Sequence, residues 1–166
     1  MVDINNHLEV EALSESCQIL SDTLNKVEKN IFPGQSVIEL DKIAEDYIIS
    51  CNAKPAFKGY EGFPATLTVS IDDEIVHGIP KNIILKEGQI ISIDCGVIKN
   101  DFYSDSARTI AVGKISDEKQ KLLDVTKKAL DIGIQNALVG NKIFDISNSI
   151  QELSLIHISE PTRHAS

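Results

Sequence analysis

Between residues 8 and 31, Leu13, Cys17, Leu20, Leu24, Val27 and Ile31 recur at alternating steps of four and three. That spacing draws one apolar stripe along a helix and predicts an amphipathic first element, stopped by Phe32, Pro33 and Gly34. Ser36 followed three residues later by Glu39 has the form of a capping box, and Leu40, Ile43, Ala44, Tyr47 and Ile48 then line one face of a second predicted helix. The helical period vanishes from Asn52 to Pro64, where Pro55, Gly59, Gly62 and Pro64 predict a loop carrying Phe57, Tyr60 and Phe63. The period then becomes two. Leu67, Val69 and Ile71 alternate with Thr66, Thr68 and Ser70, and Asp72 and Asp73 turn the chain into Glu74 to Ile79, which predicts a hairpin with His77 opposite Thr68.

A second predicted hairpin spans IISIDCGVIKNDFYSDSART, residues 90 to 109, around a turn at Lys99, Asn100 and Asp101. Ser116, with Asp117 and Glu118 in the following turn, predicts the start of a long helix. Its inner face reads Leu122, Leu123, Thr126, Ala129, Leu130, Gly133 and Ala137, and Gly140 closes it. A fourth helix is predicted from near Asp145 through Ile150. Two helices, antiparallel β-hairpins, then two helices make an α+β domain rather than a parallel sheet.

The 90–109 stretch holds the candidate chemistry. Ile91, Ile93, Cys95 and Val97 form the core-facing parity of its first strand, which leaves Asp94 on the other face beside a glycine. Asp105 is eleven residues further on, so across an even loop the two carboxylates share a face as direct or diagonal neighbours. Like charges about 4 Å apart repel by about 1 kcal/mol in water and about 4 kcal/mol near a protein surface. Such a pair calls for a shared proton or a bound cation, of which a hard or borderline divalent ion is the commoner for oxygen ligands. Aspartates near strand ends also serve as turn or cap residues, which is the reading for Asp101. A lone strand histidine is more often structural than catalytic; what sets His77 apart is Gly78, Ile79 and Pro80, which end its strand beside it.

At 166 residues and 42% hydrophobic, the chain has the length for one domain with a real core. A net charge of −9, with sixteen basic residues scattered rather than striped, argues against nucleic acid or an anionic membrane as partner. Cys17, Cys51 and Cys95 are odd in number and unpaired by any CxxC spacing, which predicts reduced thiols and a cytoplasmic protein. The N-terminus has no signal-peptide pattern, and no window approaches the roughly 18 apolar residues of a membrane span.

Four blocks, in order, carry a resemblance: GYEGFP at 59 to 64, VHGIP at 76 to 80, SIDCGV at 92 to 97 and YSDSART at 103 to 109, with FPGQSVIELDKIAEDYI at 32 to 48 before them. Together they closely resemble the type I methionine aminopeptidases of the pita-bread metallopeptidase family, over roughly residues 10 to 151. The resemblance implies the N-terminal half of a pita-bread fold and a hydrolase that removes the initiator methionine from nascent polypeptides, with the ribosome as a further candidate partner. It implies two divalent metal ions, whether cobalt, manganese, iron, zinc or nickel, with Asp94 and Asp105 among their ligands. His77 would contact substrate near the scissile amide and aid the transition state. Tyr60, Phe63, Thr68 and Phe57 would wall the pocket for the methionine side chain.

The chain also departs from the family pattern. The GHGIG-type block and the two later glutamates that complete the family's centre are absent, and Glu152, His157, Glu160 and His164 stand in a different context and are not assigned as ligands. The last stretch, SLIHISEPTRHAS, resembles a translated sequencing-adapter peptide. Residues 1–151 therefore read as the N-terminal half of the metallopeptidase domain and 152–166 as a spurious tail, so that this chain by itself is expected to be inactive. The alternative is a non-catalytic binding module derived from the same fold.

Overall fold

The computed structural model describes residues 6–154, which form two compact units divided after Ile115. In the first, helices α1 (His7–Glu28) and α2 (Val37–Ser50) precede β1 (Lys54–Pro55), β2 (Leu67–Ile71), β3 (Ile90–Lys99) and β4 (Phe102–Ala111). β3 is the backbone of the sheet. One of its edges pairs antiparallel with β1 near Val97 and with β2 from Ile91 to Cys95, and the other pairs along its whole length with β4.

Strand alternation divides this sheet into an apolar and a polar face. Ile91, Ile93, Cys95 and Val97 are fully buried and, with Leu67 and Val69 of β2, meet Leu20, Leu24 and Val27 of α1 and Leu40, Ala44 and Ile48 of α2. Both helices therefore cover one face of the sheet, and the opposite parity is left for the site. Ser16 locks α1 to the hairpin: its buried hydroxyl lies 2.9 Å from that of Ser104 and donates toward the carbonyls of Val97 and Phe102.

Several expectations need correction. Cys17 is exposed, and α1 turns Ser16, Ile19 and Thr23 inward in its place, because the hydroxyls of Ser16 and Thr23 find backbone carbonyl acceptors. Ser36 is the N-cap of α2, but its side chain makes no capping bond; its backbone forms an isolated bridge with Ile84. The 52–64 loop contains the short β1 and a one-turn 3-10 helix, Tyr60–Gly62.

The larger correction concerns the first hairpin. Residues 74–79 do not form a strand, and β2 pairs with β3 instead. Asp72 adopts a left-handed φ of 54° and its backbone N–H donates to the Ile90 carbonyl, while its carboxylate accepts from the Ile90 N–H. The turn thus ties β2 to the start of β3, which offers five register partners, whereas 74–79 makes two backbone bonds to β2, Val69 N–H to the Gly78 carbonyl and Glu74 N–H to the Ile71 carbonyl.

The second unit contains α3 (Asp117–Asn136) and α4 (Ile143–Ser154). Ser116 accepts from the Lys119 N–H, as its N-cap role requires. Only Ala129 and Gly133 of the expected inner face of α3 are buried; Leu122, Thr126, Leu130 and Ala137 are exposed. The seam with α4 is narrow, because Gly133 lets Ile150 approach so closely that a β-carbon there would lie 2.8 Å from its Cδ1. α4 begins two residues before Asp145, whose carboxylate caps the Lys142 N–H, and Glu152 on it is exposed and bonded to Asn148. His157, Glu160, His164 and most of the expected tail lie outside the described residues.

Candidate metal centre and substrate cleft

The polar face of the sheet brings the two aspartates together. In the β3–β4 register Asp94 faces Ala107 and Gly96 faces Asp105, so Asp94 and Asp105 are diagonal neighbours on one face. On the other edge of β3, Thr68 stands directly opposite Asp94. The two carboxyls are close enough to act on one another. Burial, the bond to Asp105 and that residue's negative charge together push Asp94 up to about 6, against the lowering effects of the Cys95 N–H and of His77. Behind the pair, burial pushes the Cys95 thiol up to about 12 and leaves it an uncharged core residue.

These groups line a cleft of about 550 Å³. Phe57, Tyr60 and Phe63 supply an aromatic wall, Thr68, Asp94 and Asp105 come from the sheet, and His77 and Ile79 come from the segment after β2. Phe57 and Phe63 are half-buried, whereas Tyr60 is 70% exposed. Every residue expected at the site from sequence therefore reaches the cleft. His77 gets there by a route different from the one expected. It has φ 60°, a left-handed conformation uncommon outside glycine, and Gly78 is pressed so tightly on β2 that a β-carbon would lie 2.0 Å from the Val69 carbonyl oxygen. A strained residue followed by an obligatory glycine holds the imidazole at the cleft without any strand pairing.

Gly96 does the same for the aromatic wall. A β-carbon there would lie 2.8 Å from both the Ala56 methyl and Phe57 Cε1, so the missing side chain is what lets Phe57 lie over the sheet beside the carboxylates. Ile79, Glu61, Gly62 and Pro64, none of them assigned to the site from sequence, also line the cleft; all four sit in the GYEGFP and VHGIP blocks, which was the available signal.

Asp94 and Asp105 fit a divalent cation as part of a ligand set. They are hard oxygen donors on one face, and a cation between them would relieve their mutual repulsion. Among the described residues, no group of three or more histidine, cysteine, aspartate or glutamate side chains converges as a metal site. The pair is thus a partial site.

The chain is similar to the methionine aminopeptidase of Clostridium acetobutylicum, with 48% identity over 153 residues, covering 92% of this chain and 61% of that protein. Among solved structures, the methionine aminopeptidases of Rickettsia prowazekii (TM-score 0.89, 30% identity, 93% of this chain and 62% of that one) and Thermotoga maritima (TM-score 0.88, 32% identity, 92% and 62%) superpose closely. The chain spans about three fifths of the length of these relatives. The prolidase of Pyrococcus furiosus has the same pita-bread fold at TM-score 0.80. With the signature of the family matching residues 11–157, the chain belongs to metallopeptidase family M24.

Proposed function

We propose that this chain is the N-terminal part of a cytoplasmic methionine aminopeptidase that removes the initiator methionine from nascent polypeptides. The observation that carries this reading is the cleft, in which an aromatic wall and a carboxylate pair open onto the same space beside a histidine held in a strained conformation. Phe57, Phe63 and Tyr60 offer an apolar, polarizable surface suited to an unbranched thioether side chain. Asp94 and Asp105 would hold two divalent ions, together with ligands from elsewhere in the longer protein. When bound, such ions supply a water of lowered pKa and positive charge for the tetrahedral oxyanion. His77 then serves as an N–H donor at the scissile amide, orienting the substrate and stabilising charge as it develops.

Two carboxylates leave most coordination positions to water, so the 166-residue chain by itself is proposed to be inactive. Co-expression with the C-terminal two fifths of the Clostridium acetobutylicum relative tests both statements. The assembled protein should release methionine from a Met-Ala-Ser peptide in the presence of cobalt or manganese, and the chain alone should not. If the assembled pair forms but releases nothing, while the intact relative is active in the same assay, the enzyme reading fails and a binding module is favoured.

A further inference from the structure

The 57–65 loop that forms the aromatic wall is anchored from the opposite side of the sheet by α2. Asp41 turns a single carboxylate oxygen, Oδ1, toward the end of the loop, where it accepts from the N–H of Thr66 at 2.9 Å and of Leu67 at 2.7 Å. These two amides join the loop to β2 one residue before Thr68 enters the cleft. One turn along α2, Glu45 accepts from the Lys58 ammonium at 2.6 Å, near the beginning of the same loop. Between these anchors the loop closes on itself, with the Gly59 N–H donating to the Phe63 carbonyl and the Phe63 N–H to the Tyr60 carbonyl.

The two anchors differ in weight. A partly exposed lysine–glutamate pair contributes little by itself, whereas main-chain amides bonded to a carboxylate are charge-assisted and costly to leave unpaired. Asp41 also sits where a carboxylate is not at ease. Burial raises its pKa and Glu45 adds to the rise, while the two amides and Lys58 oppose it. An acid kept in such a place is held by what it bonds.

We propose that Asp41 is a positioning residue of the cleft: by fixing where the aromatic loop ends and β2 begins, it sets the pocket that receives the substrate's apolar N-terminal side chain, with Glu45 and Lys58 as a weaker second tether. The role assigned to that pocket rests on the methionine aminopeptidase reading above; the tether itself does not.

Two readouts separate the inference from that reading. The first is amide hydrogen exchange on the 166-residue chain. Asp41→Ala should speed exchange about tenfold at Thr66 and Leu67 and throughout residues 57–63, Asp41→Asn should restore protection because its amide oxygen can accept both bonds, and Glu45→Gln should act only around Lys58. Unchanged exchange in 57–63 overturns the inference whatever the enzyme does. The second uses the chain assembled with the relative's C-terminal portion. Asp41→Ala should raise KM for a methionyl peptide about tenfold with kcat within twofold, narrow the preference for methionyl over leucyl peptides, and be rescued by Asp41→Asn. Lost stability with an unchanged KM, or a fall in kcat alone, would reduce Asp41 to a structural residue. An inactive wild-type assembly would sink the enzyme reading and leave the exchange result to decide the tether.

Discussion

Asp94 and Asp105 lie diagonally across the β3–β4 pair on one face of the sheet, where burial and the neighbouring Asp105 carboxylate together raise the Asp94 carboxyl. The sign of the resulting pH dependence follows from the raised value. Asp94 titrates near 6 in the folded chain against about 3.9 unfolded, so the folded state binds the extra proton. Its contribution to stability is complete below about pH 4 and is lost as pH rises through 6. Metal-free melts should show the wild type losing more stability from pH 5 to pH 8 than Asp105→Asn, whose amide donates to Asp94 and adds no charge. Manganese or cobalt should raise the wild-type melting temperature more than that of Asp105→Asn, by RT ln(1 + [L]/Kd). An equal rise in both would place the ion elsewhere.

Gly96→Ala should be destabilising by about 1–3 kcal/mol, the usual cost of overpacking, because the new methyl collides with Ala56 and Phe57. Urea unfolding gives the number. If Phe57 moves to relieve the clash, the cleft should change shape as well, visible as shifted Phe57 ring resonances.

In the assembled enzyme, His77→Ala should lower turnover by about 100-fold or more, comparable to losing one oxyanion-side donor. Gly78→Ala should approach the same loss without touching the imidazole, since its β-carbon cannot coexist with the Val69 carbonyl and must displace the segment. Unchanged turnover in His77→Ala would remove His77 from the mechanism.

The three cysteines should separate by reactivity. Cys17 is exposed and should alkylate readily in the native chain, Cys51 more slowly, and Cys95 only on unfolding, because it is buried and its thiol is pushed up to about 12. Mass spectrometry after timed iodoacetamide treatment orders them.

Thr66 carries the one buried side-chain polar atom without a hydrogen-bond partner among the described residues. Thr66→Val keeps the shape and removes the orphaned hydroxyl. It should be neutral or stabilising by about 1 kcal/mol, as read from chemical denaturation. A clear loss would mean that the hydroxyl is partnered in solution.

The sequence by itself determined the local and periodic features. The stripe of α1, the parity of Ile91, Ile93, Cys95 and Val97, and the tight turn that puts Asp94 and Asp105 on one face all follow from neighbours in the chain, whose geometry the backbone period dictates. The four motif blocks likewise carried the family and the cleft residues other than Phe57 and Thr68. Tertiary structure alone decided the rest. β2 found its strand partner in β3, some twenty residues on, and not in residues 74–79 that follow it directly, which no local pattern expresses. Whether Cys17 or Ser16 faced inward depended on carbonyl acceptors more than eighty residues away, at Val97 and Phe102. Asp41 reads as an ordinary polar position on a helix surface until the fold brings the amides of Thr66 and Leu67 to it. Periodicity records which face of an element is buried, but not which distant hydrogen-bonding groups that face will meet.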